Sequence, residues 1–210
     1  VAARDPFFAG NVDALIAAQP KDLETSEIEV RLGATWFDKK YIEQFMYETF
    51  ETPRYLRGQI EISYVPYTAE WQVSRKSMVR YNDVAAFTTY GTDRASAYRL
   101  LEDALNLRDI RIYDTIEDAD GRERRVLNAK ETTLAAQKQQ LIRDAFKDWI
   151  WKDPERRETL VRQYNEEMNS TRPREYDGSH IVFSGMNPEI TLREHQKNAI
   201  AHVLYGGNTL

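Results

Sequence analysis

The chain has 210 residues, no cysteine, 41% hydrophobic and 30% charged side chains, and a formal net charge of −5. A chain of this length buries a sufficient core without covalent staples. The lack of cysteine excludes a disulfide scaffold, a thiol nucleophile and any cysteine-ligated zinc or iron–sulfur centre.

Near the start, Asn11 is placed to cap a short helix carrying Val12, Leu15 and Ile16, with Pro20 ending it. Asp38 then precedes Tyr41, Ile42, Phe45 and Met46, which share one helical face, and Thr52-Pro53 closes that run. Ile60, Ile62 and Tyr64 alternate with Glu61 and Ser63, and Trp71 and Val73 alternate with Gln72 and Ser74. This period of two predicts an antiparallel pair with its loop at 65–69. Gly91-Thr92 predicts a turn and cap before a helix through Leu100, Leu101, Ala104 and Leu105. Ile110 to Tyr113 predicts a short strand, and Asp120-Gly121 a hairpin whose return arm is Arg122 to Leu127. Asn128 with Glu131 forms a capping-box pattern ahead of a long stripe from Leu134 to Trp149. Asp153-Pro154 starts the next helix, carrying Leu160, Val161, Tyr164 and Met168. The stretch Asn169 to Pro188 has no periodicity. Thr191 with Glu194 predicts a last capped helix that Gly206-Gly207 stops, and Asn208-Thr209-Leu210 reads as a strand beginning. The expected class is α+β, helix-rich, with a small antiparallel sheet.

No apolar run approaches the roughly 20 residues of a membrane-spanning helix, so no membrane partner is expected. The absence of cysteine fits a reducing, cytoplasmic setting. The first residues, Val1-Ala2-Ala3-Arg4, hold neither an initiator methionine nor a signal peptide, which reads as a piece of a longer chain.

The charge is uneven. Residues 121–174 carry +4, and the rest of the chain is acidic overall. Only that block could supply a phosphate-contacting face; the plain alternative is a solvated helical surface. Phosphate-loop, dinucleotide-binding and nucleophile-elbow motifs are missing, and Asn187-Pro188-Glu189-Ile190 lacks the stacking aromatic of an adenine methylase motif. His195 and His202 lie seven apart without a third metal ligand in view, and read as a helix-surface pair. The adjacent carboxylates Glu102-Asp103 and Glu166-Glu167, and the near pair Asp118 and Asp120, read as solvated. Trp36, Trp71, Trp149 and Trp151 read as packing residues rather than base-stacking platforms.

The run Asn165-Glu166-Glu167-Met168-Asn169-Ser170-Thr171-Arg172-Pro173-Arg174-Glu175-Tyr176-Asp177-Gly178-Ser179-His180 is distinctive. It is followed by Phe183-Ser184-Gly185-Met186-Asn187-Pro188, Leu192-Arg193-Glu194-His195-Gln196 and Tyr205-Gly206-Gly207-Asn208-Thr209-Leu210. Weaker echoes lie at Val30 to Trp36, Tyr90 to Arg94, and Asn128 to Thr132 with Lys138-Gln139. Together these resemble the large DNA methylase–helicase fusion proteins of phages, plasmids and conjugative elements, which carry an adenine-N6 methylase region and a Swi/Snf-type helicase region. The resemblance implies three parts: an accessory or connector domain over 1–170, an irregular linker over 171–190, and the first helix and strand start of a helicase ATPase core over 191–210. It implies that Gln196 reads the adenine of ATP, since a glutamine amide offers a donor and an acceptor together, with Arg193 flanking the nucleotide. It implies ATP and magnesium as cofactors of the parent helicase, an ATP-hydrolysing enzyme, and S-adenosylmethionine where the methylase region is present. The chain itself lacks the phosphate-loop lysine, the magnesium-binding acid and the methylase motifs, so no complete active site and no hydrolysis are expected of it alone.

Two roles stay open. In the first, the domain contacts DNA: Arg122, Arg124, Arg125, Arg156, Arg157, Arg172 and Arg174 meet phosphates rather than bases, on a helix-then-hairpin layout resembling a winged helix. In the second it is a structural connector between the flanking methylase and helicase domains, with Trp36, Phe37 and Tyr41 packed on a neighbour; the overall acidity favours this one. An independent enzyme would require a deep pocket lined by strongly perturbed titratable groups.

Overall fold

The computed structural model describes residues 9–78, 83–118, 121–171, 175–187 and 189–206. Helices α1 (Ala9–Ala18) and α2 (Lys39–Thr49) lead into strands β1 (Ile62–Val65) and β2 (Glu70–Val73). Then come a π-helical turn at Ala85–Thr89, α3 (Ala97–Leu105), strands β3 (Tyr113–Glu117) and β4 (Glu123–Leu127), and helices α4 (Ala129–Lys152), α5 (Pro154–Glu167) and α6 (Glu194–Gly206). The class is α+β and helix-rich. The strands form two antiparallel two-stranded sheets, β1–β2 and β3–β4, rather than one. Residues 21–169 make one unit; residues 1–20 and 170–210 make another.

Helix starts follow the local chemistry closely. Asp38 accepts from the Lys40 amide at 2.9 Å, Asn128 from Glu131 at 3.0 Å and Asp153 from Arg156 at 2.7 Å, each quenching an orphan donor of a first turn. Asn11 does not cap α1, which starts two residues earlier, at Ala9. Ile110, Arg111 and Ile112 are not strand either; pairing begins at Tyr113. Thr132 explains this, because its hydroxyl and Ile112 bond in both directions, tying the chain to α4 before β3 starts. No periodic pattern marks the π-helical turn, where the Asp83 carboxylate accepts from the Ala86 amide at 3.1 Å.

A sheet of two strands leaves two unpaired edges, and helix side chains close both here. On the β2 edge, Asn106 at the end of α3 accepts from the Trp71 amide and donates to the Trp71 carbonyl, each at 2.8 Å, as a third strand would. Glu102 of α3 accepts from the Val73 amide at 2.8 Å and pairs with Lys76. On the β1 edge, Glu43 of α2 accepts from the Ile62 amide, and Lys39 donates to the Ile62 carbonyl, both at 3.0 Å. Glu102 is therefore a structural ligand of the sheet rather than a solvated carboxylate.

Aromatic rings dominate the core of this unit. Phe45 of α2 meets Phe146 of α4 edge-on at 5.1 Å, and also contacts Phe50 and Trp149. Phe37 packs on Phe146, and Phe50 carries the contact on to Tyr98 of α3 at 5.3 Å. Phe45, Phe50, Phe146 and Tyr98 are fully buried. The Tyr98 hydroxyl shares a 2.7 Å hydrogen bond with Thr52, so no buried polar atom is stranded there. Gly33 fits α3 closely: with φ at +86°, a Cβ there would stand 2.1 Å from the Leu105 carbonyl oxygen.

In the other unit, the segment 175–181 runs along α6. Gly178 is buried, and a Cβ on it would lie 2.0 Å from the Lys197 carbonyl oxygen. Its amide donates to Asn198 at 2.9 Å, Tyr176 stacks on His202 at 4.5 Å, and His180 stacks on Tyr205 at 6.0 Å. The helix starts later than the Thr191–Glu194 pattern predicts. Arg193 occupies the cap position, its carbonyl accepting from the Gln196 and Lys197 amides, while the Gln196 side chain reaches back to the Arg193 amide at 2.9 Å.

Phe146→Ala removes the central ring of the α2–α4 contact and is expected to cost about 3–5 kcal/mol, read from urea unfolding. Burial pushes the Tyr98 phenol up to about 12. The folded protein therefore holds that proton longer than the unfolded chain, whose tyrosines titrate near about 10. The stability this provides is whole below that pH and is lost as pH rises toward 12. Unfolding curves of wild type and Tyr98→Phe should diverge over that window by roughly 2 kcal/mol, with the wild type falling faster.

Candidate nucleic-acid interface

The arginines read as phosphate contacts fall into distinct settings. Arg122, Arg124 and Arg125 belong to the β3–β4 hairpin, and all are exposed. Each of the five residues of β4 is exposed, so this arm projects rather than packing as a core strand. Register places Arg125 opposite Thr115 and Arg124 opposite Ile116. Successive residues point to opposite faces of a strand, so Arg124 and Arg125 serve different faces of the hairpin. Gly121 takes φ +73° in the turn, and Asp118 and Arg122 close it through a 2.9 Å backbone bond. Asp120, of the predicted turn pair, lies outside the described residues.

Arg156 has a different task. Its guanidinium lies 3.6 Å from the centre of the Trp149 ring and donates to the carbonyls of Ile150 at 2.9 Å and Trp149 at 2.6 Å. It closes the C-terminal end of α4, where carbonyls lack helical partners. Trp149 in turn donates to Glu48 of α2 at 2.7 Å. Burial pulls the Arg156 pKa down, and the half-buried side chain is committed to this junction rather than offered to phosphate. Arg157 lines an open groove between α5 and residues 22–26, together with Asp22, Glu24, Glu158 and Glu166. Those carboxylates make the groove mixed rather than basic. Arg172 and Arg174 lie outside the described residues.

The fold adds three arginines that the charge blocks conceal. Arg94, Arg99, Arg111 and Arg125, with Ile112 and Tyr113, line a small cleft of about 210 Å³ at the base of the hairpin. Arg94 pairs with Asp114 at 2.8 Å and donates to the Tyr113 carbonyl at 3.0 Å. The Asp114 carboxyl is held below its ordinary range by Arg94 and by the Asn128 amide. The Arg125 guanidinium sits 4.9 Å from the centre of the Tyr113 ring. Arg99 donates to the Arg94 carbonyl at 3.5 Å. Arg111 has no hydrogen-bond or ion-pair partner among the described residues. Arg94, Arg99 and Arg111 precede the basic block, in a stretch that is acidic overall, which is why net charge along the chain gives no sign of them.

Gln196 and Arg193 are both exposed at the start of α6. The Gln196 amide oxygen caps the helix, whereas its nitrogen has no partner among the described residues. His202 stacks on Tyr176, and His195 lines a shallow groove with Glu175, Asp177 and Glu194. Among the described residues no group of three or more histidines or carboxylates is arranged to hold a metal ion. Among the described residues no helix is long and apolar enough to cross a membrane.

The aromatics assigned to a connector surface are turned inward. Phe37 is a core residue, Trp36 meets Phe37 and Tyr164 edge-on at 5.0 and 5.1 Å, and Tyr41 is half-buried against the same core. The reason is that α5 packs over Trp36 through Tyr164, with Gln163 donating to the Trp36 carbonyl at 2.8 Å. Trp71 is likewise buried, and Trp149 and Trp151 pack against the core. Asn165, within the distinctive run, clamps the Leu23 backbone with bonds of 2.8 and 3.0 Å.

Arg156→Ala is expected to lower stability by about 1–3 kcal/mol in urea unfolding, with Arg156→Lys recovering only part, because an ammonium cannot stack and bond two carbonyls in one plane.

No curated protein and no solved structure matches the chain. A family model described as a domain of unknown function, DUF8437, matches residues 31–170, from just before Gly33 to just past the end of α5. With two thirds of its length covered by that model, the chain belongs to the DUF8437 family.

Proposed function

We propose that the chain is an accessory, DNA-contacting domain of a larger DNA helicase/adenine-N6 methylase protein of mobile genetic elements, and that its β3–β4 hairpin engages the phosphate backbone. The observation that carries this reading is the hairpin itself, whose return arm is exposed at every position and bears Arg124 and Arg125, with Arg122 beside the turn. A projecting two-stranded ribbon has the dimensions to enter a major groove, and arginines on both of its faces then lie toward the phosphates flanking that groove. The structural-connector reading keeps the support of the overall acidity, but Trp36 and Phe37, which it placed against a neighbour, are occupied within the domain.

On the same reading, α6 opens the helicase ATPase core of the parent. The exposed Gln196 amide nitrogen fits a role as donor to adenine N7, with Arg193 alongside. ATP and magnesium would supply the phosphoanhydride and the charge neutralisation for hydrolysis, with the phosphate-binding groups coming from other parts of that protein.

Fluorescence anisotropy with labelled duplex and single-stranded DNA at low salt tests the DNA contact. Binding in the micromolar range is expected. Arg122→Ala/Arg124→Ala should weaken it for all sequences alike and reduce the slope of log affinity against log salt by about 2. Absence of binding at tens of micromolar protein (about 50 mM salt) would reject the proposal.

A further inference from the structure

We infer that the cleft formed by Arg94, Arg99, Arg111 and Arg125 is a binding site for a phosphomonoester group. Four arginines from separate parts of the fold line one cleft, and no carboxylate is among its described lining residues. Arg94 precedes α3, Arg99 stands in the first turn of α3, Arg111 lies in the approach to β3, and Arg125 is on β4. Arg94 is paired with Asp114; Arg99, Arg111 and Arg125 have no ion-pair partner among the described residues. Like charges held this close repel one another unless an anion joins them, and a concave site focuses their field on that anion.

The chemistry of the anion follows from charge, shape and size. Guanidinium groups present paired N–H donors that match phosphate oxygens. A phosphomonoester carries about −1.5 to −2 charge near pH 7 and three acceptor oxygens, so it can be shared among several arginines. An internal diester offers one charge and continues as chain on both sides. The cleft volume of about 210 Å³ is below the ~300–1,000 Å³ of pockets that enclose a whole drug-sized ligand, which suits a headgroup with the remainder of the molecule outside. Two of the arginines are already oriented. Asp114 and the Tyr113 carbonyl fix Arg94, and the Tyr113 ring supports Arg125, so less side-chain freedom is lost on binding. Arg111 is the uncommitted donor.

This assignment rests on the cleft alone and does not require the hairpin to hold duplex DNA. Calorimetric titration with inorganic phosphate tests it directly. Wild type is expected to give a saturable signal, weakened at least about tenfold in Arg99→Ala/Arg111→Ala and retained in Arg122→Ala, which lies outside the cleft. Neither Arg99 nor Arg111 has an ion-pair partner among the described residues, and the Arg99 bond to the Arg94 carbonyl is long at 3.5 Å, so the double variant should keep its unfolding midpoint. No saturation by about 10 mM phosphate, or equal binding by the double variant, would overturn the site. One single-stranded oligonucleotide, 5′-phosphorylated or 5′-hydroxyl, then identifies the source of the group. A preference of about tenfold or more for the phosphorylated form, abolished in the double variant, supports a nucleic-acid end. Equal binding of the two forms alongside saturable thymidine monophosphate and phosphate supports a small free phosphate ester.

Discussion

The edge-to-face contact of Phe45 with Phe146 anchors the larger unit. It joins α2 to α4, and from it the ring network reaches Phe37, Trp149, Phe50 and Tyr98, so three helices are referred to one buried cluster. Offset and edge-on rings gain electrostatic energy beyond the apolar area they remove from water. The network also fixes the functional periphery. Trp149 carries Arg156 and Glu48 at its rim, which ties the α4–α5 junction to α2. With α4 held at both ends, Asn128 and Thr132 at its start hold the base of the hairpin through Asp114 and Ile112.

Small sheets of two strands are poor structures by themselves. This fold makes one of them durable by giving its edges to helices. Asn106 and Glu102 act on one side and Glu43 and Lys39 on the other, so every outward backbone group of Ile62 and Trp71, and the Val73 amide, meets a side chain. The second sheet has the opposite character. Its return arm is exposed throughout and bears arginines. Charge on an open strand discourages edge-to-edge association, and the same charge equips the strand for an anionic partner. One hairpin is thereby a structural seam and the other a projection.

Arginine identity alone does not tell these uses apart. Arg156, Arg94 and Arg111 have the same side chain. Arg156 is stacked and bonded to helix carbonyls, Arg94 is paired with the Asp114 carboxylate, whose pKa it lowers, and Arg111 is uncommitted among the described residues. A guanidinium can satisfy a helix end, pair with a carboxylate or wait for an external anion, according to what lies within about 3 Å of it.

The sequence by itself determined features that depend on near neighbours in the chain. Asp38, Asn128 and Asp153 cap the helices that follow them, and alternation marks β1 and β2, because caps and strand faces are set within a few residues. Periodicity also told that Phe45 and Phe146 face a core. It could not tell that Ile110 to Ile112 would be held by Thr132 ahead of β3, that Trp36 would be covered by α5 and Phe37 by Phe146 of α4, or that the cap of α6 would pass from Thr191 to Arg193. The arginine cleft is the clearest case. Its members span Arg94 to Arg125, and charge summed along the chain averages them with acidic neighbours. Only tertiary structure decides which charges share a few ångströms of space, since Coulomb energy depends on that distance and not on separation in sequence.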